Sequence, residues 1–460
     1  MDFSYHPGDA DNYDFENPVD MIFNITGKRV TIIGAARSGL AVADIVLRLG
    51  GIAKISESKS LKEVGDILDS ELLRVSGLRT RLRGNDIIYE AGGHTKGFIQ
   101  DSDYVVLSPG VRLDTLPVKW ARERNIEVMG EVEFGFRLCP CPIVAVTGSN
   151  GKTTTSTLIA EIIKRSGRQV CLCGNIGSPL SKYVLDLKPT DTVVLEISSF
   201  QLESTVRFKP HVVVWTNFSQ NHLDRHKDLE EYFQAKCKIF ANQDKSDFAL
   251  LNYLVPQHKK LAKALKAKVI FFNQPHPLLA SPIKGEECVV DNPNYLAAMR
   301  AAHVLGISEE VCLKVFSEFK GVEHRLEFVR HLDGVDFIND SKSTTVEASR
   351  WALERAQRPV IMICGGSDKK LEYPPLKSLV AQKVKHMIAI GQIREIMRST
   401  FSDVVAVDTF TSLEEAVKAA RKIAKPGECV LFSPMTASFD MFKDYEHRGR
   451  VFKEIVNNFI

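Results

Sequence analysis

The 460-residue sequence has no apolar run near the roughly 18 residues that a membrane-spanning helix needs. The basic start of a secretory leader is missing too, because the first twenty residues carry Asp2, Asp9, Asp11, Asp14, Glu16 and Asp20. A cytoplasmic protein with no membrane partner is therefore expected. Neither sign of charge dominates: 60 Lys and Arg stand against 57 Asp and Glu. Nothing marks out a nucleic-acid partner, although a local anion site is compatible with such a balance. Zinc-type cysteine spacing is also lacking. The nine cysteines lie scattered through apolar stretches and read as reduced thiols. The pairs Cys139 with Cys141 and Cys171 with Cys173 have only one residue between them, which is not zinc spacing.

The length fits about three domains of roughly 150 residues each. Residues 1–23 show no periodicity and many turn formers, so a flexible acidic arm is expected there. The most informative stretch is PIVAVTGSNGKTTTS, residues 142–156. Ile143 to Val146 reads as a buried strand, Thr147 to Gly151 as a turn, and Lys152 as the start of a helix. A triphosphate needs several backbone N–H groups aimed at it, and Gly148 and Gly151 let the chain curl that closely. Lys152 adds positive charge, Thr153 offers a hydroxyl to magnesium, and the helix turns its positive end to the anion. Val146 stands where GxxxxGK[ST] has its first glycine, so the narrower signal is TGSNGKTT. The bland alternative, a tight turn that happens to carry a lysine, is disfavoured by the apolar strand before it.

Before this loop, KRVTIIG, GAARSGLAVADIVLRLG and IAKISES form a strand, helix, strand start. Glu57 falls about where a dinucleotide fold holds ribose, but Ala36 replaces the second glycine of the fingerprint. NAD or another nucleotide-like diphosphate fits that geometry. DYVVLSPGV, residues 103–111, is a second buried strand that ends in a Ser-Pro-Gly turn.

After the phosphate loop come CLCGNIG, DTVVLEISSFQLE and HVVVWTNFSQNHLDRH. These apolar runs stop at Asn175, at Glu196 with Ser198 and Ser199, and at Asn217 to His222. Three such strand ends beside a phosphate loop would converge on a nucleotide and its metal ion. LEEYFQAKCKIFA reads as a helix whose Lys236, by the ordinary expectation, lies on a solvated face. A third region begins near Val322. EHRLEFV supplies Arg325, and GVDFINDSKSTT, RPVIMICGGSDK, KVKHMIAIG and CVLFSPMTASFD repeat a strand-then-loop layout without a second phosphate loop.

In order and spacing, TGSNGKTTT, GNIG, EISSFQLE, NHLDRH, YFQAKCKIF, EHRLE, NDSKSTT, GGSDK and SPMTASFDMFKDYEHRG resemble the Mur ligases of peptidoglycan synthesis, from about Lys28 to the C-terminus. The SSFQL form resembles the branch that adds D-glutamate to UDP-N-acetylmuramoyl-L-alanine. The resemblance implies an α/β protein of three domains: a Rossmann-like sugar-nucleotide domain at 24–138, a P-loop-type ATPase domain with a mostly parallel sheet at 139–321, and a Rossmann-like amino-acid-binding domain at 322–460. It implies ATP, two Mg²⁺ ions and an acyl-phosphate route, and we expect a monomer.

Residue by residue, the resemblance implies that Gly148, Ser149, Asn150, Gly151, Lys152, Thr153 and Thr154 hold the phosphates of ATP, with Arg325 and Asp340 on the nucleotide. Thr153 and Glu196 would ligate one metal ion, and His222 the second, beside a carbamate on Lys236. Lys152, Glu196, His222 and Lys236 are thus the implied catalytic set. Gly34, Ser38, Ser108, Pro109, Gly110, Asn175 and Ser198 would meet the sugar substrate. Lys342 would assist near the nucleotide, and Lys369, Ser438 and Phe439 would hold D-glutamate. The chain departs from many relatives at Asn221, where they have Asp, at GAARSG and at Ser56-Glu57. Other readings are a folylpolyglutamate synthase, a non-catalytic nucleotide-binding regulator and an NAD-dependent oxidoreductase.

Overall fold

Short aliphatic runs, each closed by a glycine or a polar residue, become the strands of three open sheets. The computed structural model describes residues 23–60, 87–219, 225–274 and 292–459. The chain divides into two units, Met1–Phe319 and Lys320–Ile460. The division expected between residues 138 and 139 falls inside the first unit, between two sheets.

The first sheet contains β1 (Arg29–Ile33), β2 (Ile52–Glu57), β3 (Ile87–Ala91), β4 (Tyr104–Leu107) and β5 (Glu127–Gly130), in the spatial order β3-β2-β1-β4-β5. All its pairings are parallel. Strand β1 carries Val30, Thr31, Ile32 and Ile33, all buried, because a parallel sheet is covered on both faces. The GAARSG turn leads into the helix Arg37–Arg48. A Cβ on Gly39 would lie 2.0 Å from the Gly34 carbonyl, so helix and strand pack this closely only with glycine there.

The second sheet contains β6 (Ile143–Thr147), β7 (Val170–Gly174), β8 (Thr192–Glu196), β9 (Val212–Trp215), β10 (Phe248–Asn252) and β11 (Lys268–Phe272), in the order β11-β10-β9-β6-β8-β7. Its strands are all parallel. The helix Lys152–Arg165 covers one face with the helix Pro293–Val304, whose Ala297, Ala298, Ala301 and Ala302 are buried. Small side chains on that face allow close approach.

The second unit holds β12 (Glu327–Leu332), β13 (Val335–Asn339), β14 (Val360–Gly365), β15 (Val384–Ile390), β16 (Ala406–Thr409) and β17 (Cys429–Phe432), ordered β12-β13-β17-β14-β15-β16. Only the edge strand β12 pairs antiparallel. This is the mostly parallel α/β architecture expected.

Ligands of open α/β sheets bind beyond the carboxyl ends of strands, where the strand order reverses. Those places are the ends of β1 and β4, of β6 with β8 and β9, and of β13, β17 and β14. Most of the residues singled out from the sequence lie there. No helix among the described residues is long and apolar enough to cross a membrane. The eight described cysteines are free thiols.

Candidate active site

The turn after β6 takes its shape from two glycines and the strand beside it. Gly148 has φ 150°, and a Cβ there would lie 2.0 Å from Thr216 Oγ1. Gly151 has φ 78°, and its Cβ would meet Asn294 Oδ1 at 2.3 Å. The Asn150 carbonyl accepts from Thr216 Oγ1 at 2.6 Å and Asn217 Nδ2 at 3.0 Å, while its N–H donates to Asn217 Oδ1 at 2.9 Å. Ser149 Oγ donates to the Ser219 carbonyl at 2.8 Å. Residues 216–219 therefore hold the turn open from outside. Lys152 Nζ folds back over it, donating to the carbonyls of Gly148 at 2.9 Å and Ser149 at 3.0 Å. Thr153 lies in the first turn of the helix and is buried.

Glu196 ends β8 and is 2 % exposed. Its Oε1 accepts from Asn175 Nδ2 at 2.8 Å, and its Oε2 has no hydrogen-bond partner among the described residues. An orphaned buried carboxylate oxygen is costly unless something electropositive meets it.

Lys236 lies on the helix Leu229–Cys237 and is 1 % exposed. This corrects the expectation of a solvated face. One turn earlier Tyr232 is also buried, and Lys236 Nζ stands 4.9 Å from its ring centre, donating to Thr147 Oγ1 and to the Gly148 carbonyl at 3.1 Å each. Burial first, then the charge of Lys152, push the Lys236 amine well below the ordinary lysine range, with Glu196 opposing. Desolvation of this kind favours the neutral form of the amine. The oxygen donors here suit a hard cation such as Mg²⁺, and the orphaned Glu196 oxygen fits one. His222 and Asn221 lie outside the described residues.

Tyr232 went unnoticed in the sequence, where it reads as core; its hydroxyl lies 3.3 Å from Ser149 Oγ. Asn217, picked out as a strand end, bonds the turn, and Thr147, read as its first residue, is the last residue of β6. Ser198, expected at the substrate, is instead buried at the start of the helix Ser199–Glu203, where its hydroxyl donates to Gln201 Oε1 at 2.9 Å. Ser199 Oγ lies 2.9 Å from His226 Nε2. Arg225 grips Glu203 at 3.2 and 2.7 Å and also reaches the Gly110 carbonyl at 3.3 Å. The Ser108-Pro109-Gly110 turn of the first sheet is thereby tied to the second.

At the end of β1, Gly34 has φ 97° and its carbonyl accepts from Ser108 Oγ at 3.0 Å. Ser38 lies in the first turn of the helix that follows. Glu57 is turned onto the loop itself, taking the Ala35 N–H at 2.8 Å and the Lys59 N–H at 3.0 Å. Burial pushes its carboxyl up, but these bonds bring it below the usual range.

In the second unit, Arg325 sits between His324 (φ 65°) and Leu326 (φ 43°), an unusual pair of left-handed residues. Asp340 is buried, with Oδ1 accepting from the Leu326 N–H at 3.2 Å and Oδ2 from Ser433 Oγ at 2.8 Å. Burial pushes its carboxyl up to about 6 against these bonds. Lys342 Nζ stands 5.4 Å from the Tyr445 ring centre. Ser438 is buried, whereas Lys369 is exposed and Phe439 is 74 % exposed at the same sheet edge. A cluster of Glu323, His324 and Glu327 has a metal-like arrangement. Lys453 already bridges its two carboxylates, at 2.6 and 2.9 Å.

Residues 146–279 match the family model described as the Mur ligase middle domain, and residues 324–435 match the Mur ligase glutamate ligase domain. The chain is 39 % identical to a protein of Pelotomaculum thermopropionicum named UDP-N-acetylmuramoylalanine--D-glutamate ligase, covering 95 % of this chain and 99 % of that one. A protein of the same name from Thermoanaerobacter sp. (strain X514) is 38 % identical over 94 % and 98 % of the two chains. Among solved structures, the MurF ligase from Thermotoga maritima in complex with ADP aligns with TM-score 0.57 at 16 % identity, covering 95 % and 99 % of the chains. That last likeness concerns the fold.

Proposed function

The chain belongs to the Mur ligase family, and from that premise we propose that it joins D-glutamate to UDP-N-acetylmuramoyl-L-alanine, converting ATP to ADP and phosphate. The observation that carries this reading is the glycine turn with Lys152, flanked by a buried Glu196 whose Oε2 has no partner among the described residues and by the buried Lys236. A mere nucleotide binder needs no such pair beside its phosphate loop.

A carboxylate resists attack by an amine, so the acid must first be activated. The γ-phosphoryl group of ATP passes to the alanyl carboxylate, the amine of D-glutamate attacks the acyl phosphate, and phosphate leaves as the amide forms. The backbone of 148–154 and Lys152 would orient the phosphates, and Thr153 and Glu196 would hold a Mg²⁺ ion. When bound, Mg²⁺ screens the charge gathering on the transferred phosphoryl oxygens. Lys236, whose neutral form burial favours, is suited to take up carbon dioxide: its nitrogen bonds the carbon, a proton leaves, and a carbamate anion results. That anion, with His222, would serve a second ion.

Asn175 would hold Glu196 and face the acceptor carboxylate. Gly34, Ser38 and the Ser108-Pro109-Gly110 turn would receive the UDP sugar within 24–138. Arg325, Asp340 and Lys342 would meet the nucleotide, and Lys369, Ser438 and Phe439 D-glutamate, within 322–460. A cytoplasmic monomer fits the proposal. The test is phosphate release by the purified chain with ATP, Mg²⁺ and UDP-N-acetylmuramoyl-L-alanine, with D- and L-amino acids supplied one at a time. Release that depends on D-glutamate supports the reading, and turnover indifferent to it would sink it.

A further inference from the structure

Arg448 is the second unit's buried cation. It lies on the helix Tyr445–Asn457 and is 1 % exposed. Its Nε donates to Ser341 Oγ at 3.1 Å, and its Nη2 donates to the Ser341 carbonyl at 2.9 Å and the Thr436 carbonyl at 3.1 Å. Nη1 has no partner among the described residues, and a Cβ on Gly366 would lie 3.1 Å from it. No carboxylate is within ion-pair distance among the described residues. Burial lowers the guanidinium to about 9, with only the field of Asp440 opposing. For stability alone, a well-packed apolar side chain would serve such a position at least as well.

What the guanidinium does join is two of the three loops at the carboxyl edge of the sheet, with the third packed beside it. Ser341 stands between Asp340 and Lys342, after β13. Thr436 leads to Ser438 and Phe439, after β17. Gly366 leads to Lys369, after β14. The last two loops are knitted directly, since Thr436 Oγ1 donates to the Ser367 carbonyl at 2.6 Å and the Ser367 N–H to the Ala437 carbonyl at 2.9 Å. The loop of Asp340 reaches this pair in two ways, through Ser433 Oγ, which donates to Asp340 Oδ2 at 2.8 Å, and further along both loops through the fork of Arg448. Lysine has a single donor head and cannot reproduce a planar fork aimed at both loops.

We propose that Arg448 is a positioning residue that couples the nucleotide-facing loop at 340–342 to the amino-acid-facing loop at 436–439, so that nucleotide and D-glutamate each strengthen binding of the other. The assignment rests on the function proposed above. Such coupling is reciprocal and commonly five- to about a hundredfold.

The test uses the full chain and its Arg448→Lys and Ser341→Ala variants. A non-hydrolysable ATP analogue is titrated with and without D-glutamate, D-glutamate with and without the analogue, and KM and kcat are measured for both substrates. The wild type is expected to show about tenfold mutual strengthening. In Arg448→Lys each ligand alone should bind within about threefold of wild type, the coupling should fall towards one, and KM for D-glutamate should rise about tenfold with kcat changed less. Ser341→Ala removes one acceptor without touching the charge and should lose part of the coupling; it decides the matter if Arg448→Lys does not fold. Full coupling in the folded variants overturns the proposal, as does a wild type that turns over D-glutamate without coupling. A wild type with no D-glutamate-dependent turnover instead overturns the functional reading on which it rests.

Discussion

Asn175 Nδ2 donates to Glu196 Oε1 at 2.8 Å, and the other oxygen of this buried carboxylate meets no donor among the described residues. Asn175 thus sets the angle at which Glu196 presents Oε2. Replacing Glu196 by Gln keeps the acceptor for Asn175 and removes the charge. We expect D-glutamate-dependent phosphate release to fall by about a hundredfold or more. In thermal melts Mg²⁺ should stabilise the wild type more than Glu196→Gln, because only a site that binds the ion in the folded state gains from it. Equal stabilisation of both would remove Glu196 from the metal site.

Lys236 gives a second expectation. Lys236→Ala should retain its far-UV circular dichroism and lose nearly all activity, and native mass spectrometry of the wild type should show an adduct of one carbon dioxide that the variant lacks. Burial depresses the amine's folded pKa, which favours the neutral form that reacts with carbon dioxide, and the amine becomes protonated as pH falls through that depressed value. Activity and adduct should therefore disappear together on the acid side. Full activity in the variant would end the carbamate proposal.

Gly148→Ala tests the turn itself. Its φ of 150° and a contact of 2.0 Å with Thr216 Oγ1 leave no room for a methyl group. ATP affinity, read by titration calorimetry, should drop about tenfold or more. Gly97→Ala, at a glycine outside the left-handed region with nothing within 4 Å of its Cβ, should leave ATP affinity within about threefold.

A fourth prediction concerns acid stability. His258 is fully buried against Trp215, with ring centres 4.7 Å apart, and Nδ1 accepts from the Asn252 N–H at 3.1 Å. Burial lowers its pKa to about 4. The unfolded chain, with histidine near 6.5, takes up the proton first as pH falls, so stability is full above about 6.5 and is lost towards 4. Between pH 7.5 and 5 the wild type should lose about 2 kcal/mol more than His258→Gln in urea unfolding. Parallel losses would place the acid sensitivity elsewhere.

Much of the phosphate turn was legible because its signal is local. An apolar strand, two glycines and a lysine within eleven residues constrain the backbone by sterics that act between neighbours. The same holds for the strand ends that carry Asn175, Glu196, Asp340 and Lys369. The edge strand β3 went unnoticed because Ile88 and Tyr89 are 44 % and 51 % exposed and the run has no buried period to reveal it. Ser198 shows a related ambiguity: a serine before a short helix reads equally as a ligand contact and as a cap, and its bonds within the protein are those of a cap.

By itself, the amino-acid order determined where the chain must turn, which runs must be buried and that a polyphosphate site follows β6, since these depend on residues close together. Only the tertiary structure decided that Lys236 is desolvated beside Thr147, that Glu196 keeps one oxygen unpaired among the described residues and that Arg448 joins loops from distant parts of the chain. Desolvation and charge coupling depend on distances across space, and residues 89 or 107 positions apart acquire those distances only when the sheets assemble.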